Sequence, residues 1–261
     1  MIRVAESRRD EELTRLRRWN LGVGALHAVQ AGAILLAATA TSLPVVLTYL
    51  TGPPGAGDYG GPTHLFDLRI DLAVATFLLL AAVDHVSVGT WARGWYEQRV
   101  VRGINPARWW EYSLSASVMI VLIAMLTGVK EATALVALFG ANAAVILFGL
   151  VMEETNVDRD RVDWKPFVYG CVVGAVPWIA IALQIGVAQG EGSAPPGFVV
   201  AIVVTLLVLF NSFAVNMWLG YRRRGRWADP LFTERAYLIL SLVAKSALAW
   251  QVYAGALAGA G

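Results

Sequence analysis

The stretch YLILSLVAKSALAWQVY, residues 237–253, is apolar along its length except for one charge, Lys245, near its middle. The segment around it, 231–257, is long enough to cross a bilayer, for which roughly 20 apolar residues suffice. A lysine at mid-depth costs at least ~2.5–3.5 kcal/mol on insertion scales. Three things offset such a cost: a buried ion pair, a water-filled path, or covalent modification. An amine in an apolar pocket is also a competent nucleophile toward an aldehyde. A lysine paired for structure, or one that snorkels to an interface, is the plain alternative.

The rest of the chain has the same character. Of its 261 residues 57% are hydrophobic and 15% charged, the composition of a polytopic membrane protein rather than a soluble core. The single cysteine, Cys171, lies in an apolar run and excludes an internal disulfide. Three histidines and one cysteine give no metal-ligand spacing. There is no glycine-rich phosphate loop either. Neither metal, nucleotide nor nucleic acid is expected as a partner, and no enzymatic activity is expected. The Arg-rich N-terminus leads into an apolar run far longer than a signal-peptide core. No internal repeat is evident, which argues against a transporter built from duplicated halves.

Read in order, the chain predicts an all-α, seven-transmembrane-helix bundle. Residues 1–18, with six arginines, read as a short tail or interfacial helix ahead of a membrane domain at 19–258. The spans are expected near 19–50, 68–94, 106–129, 132–154, 164–188, 197–220 and 231–258. The Gly/Pro-rich loop 51–67, TGPPGAGDYGGPTHLFD, is long enough for a small hairpin. Asn105-Pro106 reads as a helix start, with Asn as N-cap and Pro at the first helical position. Seven spans put the termini on opposite sides. The tail and the second, fourth and sixth loops, with their helix ends, hold 18 of the 21 Lys and Arg residues. The positive-inside rule therefore puts the N-terminus in the cytoplasm and the C-terminus outside, in a multi-pass protein of the cell membrane. That orientation is opposite to a G-protein-coupled receptor. The RRRGR run at 222–226 reads as a topology signal that also contacts anionic membrane lipid.

A helix rise of ~1.5 Å per residue converts sequence position into depth. His27 falls ~12 Å from the cytoplasmic face, His85 ~13 Å and Glu111 ~8 Å. Helical side chains lean toward the helix N-terminus, which brings the Lys245 nitrogen up to roughly 15 Å. Ser241 shares its face one turn earlier. These five polar groups, from four spans, are expected to converge in one half of the membrane. Taken singly, His27 and His85 are as readily hydrogen-bonded structural histidines, and Glu111 an interfacial carboxylate. Taken alone, the aromatic residues Trp178, Phe210 and Trp250 within apolar spans are more often packing than pocket. Asp84 beside His85 adds a second acid.

Seven spans with a lysine in the middle of the last resemble a retinal-binding rhodopsin, and the details resemble the heliorhodopsins. The carriers are WWEYSLSASVM (109–119), FGANAAV (139–145), FNSFAVNMWLGY (210–221) and SLVAKSALAWQ (241–251), together with the inverted topology. The resemblance implies that Lys245 carries all-trans retinal as a protonated Schiff base with Glu111 as counterion. It implies that His27 and His85 line a hydrated cavity on the cytoplasmic side and that Ser241 lies near the Schiff base. Tyr112, Ser115, Met119, Asn142, Trp178 and Phe210 are then expected in the pocket wall. Asp84 has no match in the family pattern. The implied function is a light-sensing photoreceptor, a homodimer that signals to a partner at the cytoplasmic loops. A light-driven proton pump or light-gated channel is the alternative, and a retinal-free transporter or membrane enzyme is a third class. A pump needs relay groups on both sides of Lys245. On the outer side Asp67, Arg69, Asp71, Lys130 and Glu131 all fall at helix ends.

Overall fold

The computed structural model describes residues 2–157 and 159–257. Seven of its helices are long and apolar enough to cross a bilayer. They belong to α1 (Ile2–Ala37), α2 (Ile70–Gly89), α4 (Pro106–Leu126), α5 (Ala132–Asn156), α6 (Lys165–Gly190), α7 (Gly197–Tyr221) and α8 (Pro230–Val252). An eighth, short helix α3 (Arg93–Val100) lies between α2 and α4. It occupies the stretch expected to be a basic loop.

Two helix starts follow the same local logic. Asn105 caps α4, its side chain accepting from Arg108 N at 3.1 Å, with Pro106 in the first position. Asp229 caps α8 in the same way, accepting from Leu231 N at 2.9 Å ahead of Pro230. In both, the proline lacks an N–H that would have had no helical partner anyway.

The first span is shorter at its end, and longer at its start, than the sequence suggests. Residues 9–18 are helical and continuous with the span, so the predicted tail is the first part of α1. The helix stops at Ala37. Pro44 disfavours helical geometry at the residue before it, and the β-branched run that follows suits a strand. Residues Ser42–Leu50 form β1, which pairs antiparallel with β2 (Tyr59–Arg69), Ser42 opposite Arg69 and Leu50 opposite Tyr59. The hairpin therefore takes in the end of the predicted first span as well as the Gly/Pro-rich loop.

This hairpin is fastened to the bundle at several points. Val46 N donates to Lys130 O at 3.0 Å. The Glu131 carboxylate accepts from Thr48 N at 3.1 Å and from its hydroxyl at 2.7 Å. Beside the strands, the Thr39 hydroxyl donates to Leu257 O at 2.9 Å and that of Thr41 to Ala256 O at 3.3 Å.

Within the bundle α1 packs on α2 and α8, α2 on α4, α4 on α5, α5 on α6, and α7 on α8. The largest apolar cluster, including Phe77, Ile120, Ile123, Leu206, Leu248 and Val252, fills the half nearest the hairpin. Buried polar and charged side chains, among them Asn20, His27, His85, Arg108, Glu111, Glu153 and Glu234, gather in the opposite half beside two smaller apolar clusters. The interior is thus divided at about the level of Lys245.

Candidate functional site

Lys245 and Ser241 are one turn apart on α8 and both buried. The Lys245 ammonium donates to Ser241 Oγ at 2.9 Å and to Glu111 Oε2 at 3.2 Å. The other Glu111 oxygen is also 3.2 Å away. The Tyr112 ring centroid is 4.7 Å from the same nitrogen, within cation–π range. The mid-membrane lysine is therefore offset by an ion pair, a hydroxyl and an aromatic face. A buried pair of this kind needs close geometry and further hydrogen bonds to offset its desolvation.

His27 on α1 and His85 on α2 stack ring on ring, 5.9 Å between centroids and 8° from parallel. Both nitrogens of His27 and Nε2 of His85 are buried without a partner among the described residues. The same holds for the hydroxyl of Ser115, one turn beyond Glu111 on α4. Polar groups left so are the usual seats of internal water.

On the other side of Lys245 a cavity of about 610 Å³ runs between α4, α5, α6, α7 and α8. Its wall includes Tyr112, Met119, Asn142, Trp178, Phe210, Ser241 and Lys245. Trp178 and Phe210 meet edge to face at 5.7 Å, and Phe213 meets Tyr112 likewise at 5.6 Å. The Tyr112 hydroxyl donates to Tyr237 O at 3.2 Å, and Asn142 Nδ2 to Ser117 Oγ at 3.1 Å. Ser115, expected in this wall, is not part of it. The stripe 112, 116, 119 of α4 faces the cavity, and Ser115 falls one position to its side. Glu111, His27 and His85 also lie outside the wall. Trp109, Gly149, Phe213, Met217 and Cys171 are also in it, and their bare apolar pattern did not distinguish them from ordinary packing.

A second polar cluster is absent from the sequence reading. Arg108 is buried and paired through its two terminal nitrogens with Glu153 of α5 and Glu234 of α8. Its guanidinium lies over the Tyr237 ring at 4.1 Å. Asn105 donates to both acids, from its backbone N to Glu153 at 2.8 Å and from its side chain to Glu234 at 2.7 Å. The available signal was that all three charges sit about one turn inside their helices at the same end of the bundle.

The sequence model of the heliorhodopsin family matches residues 16–257, nearly the whole chain. The chain belongs to the heliorhodopsin family. Among solved structures it is similar to cyanorhodopsin from the cyanobacterium Tolypothrix sp. NIES-4075, at a TM-score of 0.63 and 14% identity over 94% of each chain. At that identity the likeness speaks for the shared seven-helix fold alone. No curated protein matches the chain.

Membership makes this heliorhodopsin a multi-pass membrane protein and a retinal-based photoreceptor. The residues present fit such a chromophore. The cavity volume falls within the ~300–1,000 Å³ usual for small-molecule sites. Its walls are mostly apolar and aromatic, as a polyene needs, and its one amine is backed by a carboxylate outside the wall.

Proposed function

We propose that the chain is a light sensor that holds all-trans retinal as a protonated Schiff base on Lys245, with Glu111 as its counterion. The observation that carries this reading is the Lys245–Glu111 pair at 3.2 Å, set at the wall of the apolar cavity. Retinal, once bound, supplies light absorption and a change of shape on isomerisation. The protein's own groups do the rest. Glu111 supplies the negative charge that a buried cation needs. Ser241 offers a hydroxyl to the same nitrogen. Displacing the nitrogen from Glu111 weakens the pairing, and a proton leaves. His27, His85 and Glu111 are the proton-accepting side chains placed nearest to receive it.

The reading is a sensor rather than a pump because the half of the bundle nearest the hairpin is filled by the apolar cluster. There Asp71 is engaged by Arg69 at 2.5 Å and Glu131 by Thr48. The charge distribution of the loops supports a cytoplasmic N-terminus in the cell membrane, with the hairpin outside. We further propose a homodimer in membrane lipid and a signalling partner at the cytoplasmic loops.

The direct test adds all-trans retinal to the expressed protein and records the visible spectrum. A visible band should form and be lost in Lys245→Ala. No band in the unaltered protein would end the reading. Mass photometry in native-like lipid tests the dimer, and a monomer there would remove it.

A further inference from the structure

Between the paired histidines and the Arg108 cluster runs a continuous series of hydrogen bonds, and the direction of each can be fixed. Asn20 on α1 is the key. One end of its side-chain amide lies 3.1 Å from Leu16 O. A backbone carbonyl only accepts, so that end is the Nδ2 donor. The opposite end is therefore the oxygen, and it faces His85 Nδ1 at 3.0 Å. An oxygen without a hydrogen requires a donor opposite it. Nδ1 of His85 must carry the proton.

The same amide also donates to the Tyr96 hydroxyl at 3.4 Å, and that hydroxyl donates in turn to Glu234 Oε1 at 3.1 Å. Burial, with the Glu234 carboxylate beside it, pushes the Tyr96 phenol well above its ordinary range, so its proton stays available for that bond. Asn20 and Tyr96 are both almost fully buried, so water does not compete for these directions. The polarity runs one way from His85 to Glu234.

We propose that Asn20 is a positioning residue that holds His85 in the Nδ1-protonated form, leaving Nε2 as a bare lone pair beside His27. Nε2 is buried with no hydrogen-bond partner among the described residues, so its lone pair is open to internal water or to an arriving proton. When a proton binds there, the new bond is Nε2–H and the ring becomes an imidazolium. Nδ1–H still donates to Asn20, so no bond in the series breaks and none reverses. The site gains a charge without rearranging its support. An Nε2-protonated ring would lack this property. It would set two acceptors, Nδ1 and the Asn20 oxygen, against each other at 3.0 Å.

The tautomer itself does not depend on retinal. Its use as a proton-holding group rests on the function proposed above. The test is the ¹⁵N spectrum of histidine-labelled full-length protein in lipid, in the dark. The chain has three histidines, and His85→Phe identifies the signals of interest. The expected result is a protonated Nδ1 and an unprotonated Nε2. Asn20→Leu should lose this signature, and Asn20→Asp, which keeps an acceptor, should retain a proton on Nδ1. An Nε2-protonated His85 in the unaltered protein would overturn the proposal. So would an unchanged tautomer in Asn20→Leu, which is what a merely structural Asn20 gives. Should Asn20→Leu fail to fold, the unaltered protein and Asn20→Asp decide. The visible band and its loss in Lys245→Ala report separately on retinal binding.

Discussion

Both carboxylate oxygens of Glu111 lie 3.2 Å from the Lys245 nitrogen, though the two residues are 134 positions apart in the chain. The pair is buried, so neither member has bulk water as a substitute partner. Glu111→Gln keeps the shape and removes the charge. We expect the visible band to move to longer wavelength, or to give way at neutral pH to the short-wavelength band of an unprotonated chromophore. An unchanged spectrum would shift the counterion role to Asp84, which is half-buried one residue before His85.

Lys245→Ala should abolish the pigment and leave a folded protein. The variant also leaves Glu111 without its cation. Pigment yield and elution volume in detergent check this together. A pigment still covalently attached to the variant would refute the assignment of Lys245.

Gly149 faces the indole of Trp109 so closely that a β-carbon there would come within 2.4 Å of the ring. Trp109 is itself part of the cavity wall. Gly149→Ala gains ~1 kcal/mol in helix propensity, but overpacking costs about 1–3 kcal/mol. The net expectation is a lower thermal midpoint and a slower or smaller formation of pigment. Equal midpoints and equal yields would show that the tryptophan yields without consequence.

Arg108→Gln should be among the most damaging single changes. It leaves Glu153 and Glu234 buried together without their cation, and breaking a buried pair costs about 3–5 kcal/mol. Thermal unfolding in lipid measures it. A loss below about 1 kcal/mol, the range of exposed pairs, would mean that water reaches this cluster.

Illumination should drive no sustained proton movement across the membrane. A proton leaving toward the hairpin would have to cross the cluster of Phe77, Ile120, Ile123 and Leu248. Cells expressing the protein should show no steady, protonophore-sensitive pH change in light. Such a change, absent in Lys245→Ala, would make the protein a pump or channel.

How much of this could be read from the sequence differs from site to site. Lys245 was conspicuous because a charge inside an apolar run has few explanations. Glu111 and Ser241 followed from depth and helix periodicity, both local properties. Arg108 was not legible in the same way. It lies three residues past a cap, where a charge is ordinarily solvated, and its partners are 45 and 126 positions away. Only the folded bundle, which brings the ends of α4, α5 and α8 together, buries and joins them. The hairpin was placed too narrowly for a related reason. Residues 42–50 are apolar enough to read as membrane helix, and only pairing with 59–69 decides for strand. Ser115 was assigned to the cavity wall by its neighbours in a motif, although α4 turns it aside.

The fastening of the hairpin has a mechanical consequence. Its strands and flanking residues tie α1, α2, α5 and the residues after α8 into one rim, through Thr39, Thr41, Val46 and Thr48. Among the described residues the opposite rim has no hairpin; there the helices are joined by α3, by the Arg235–Glu12 and Arg17–Gly89 contacts and by the charges around Arg108. A bundle laced at one mouth behaves as a pair of tongs rather than a piston. A displacement of the α8 backbone near Lys245 would have to be taken up away from the laced rim, through the bonds that Glu234 makes with Arg108 and Asn105.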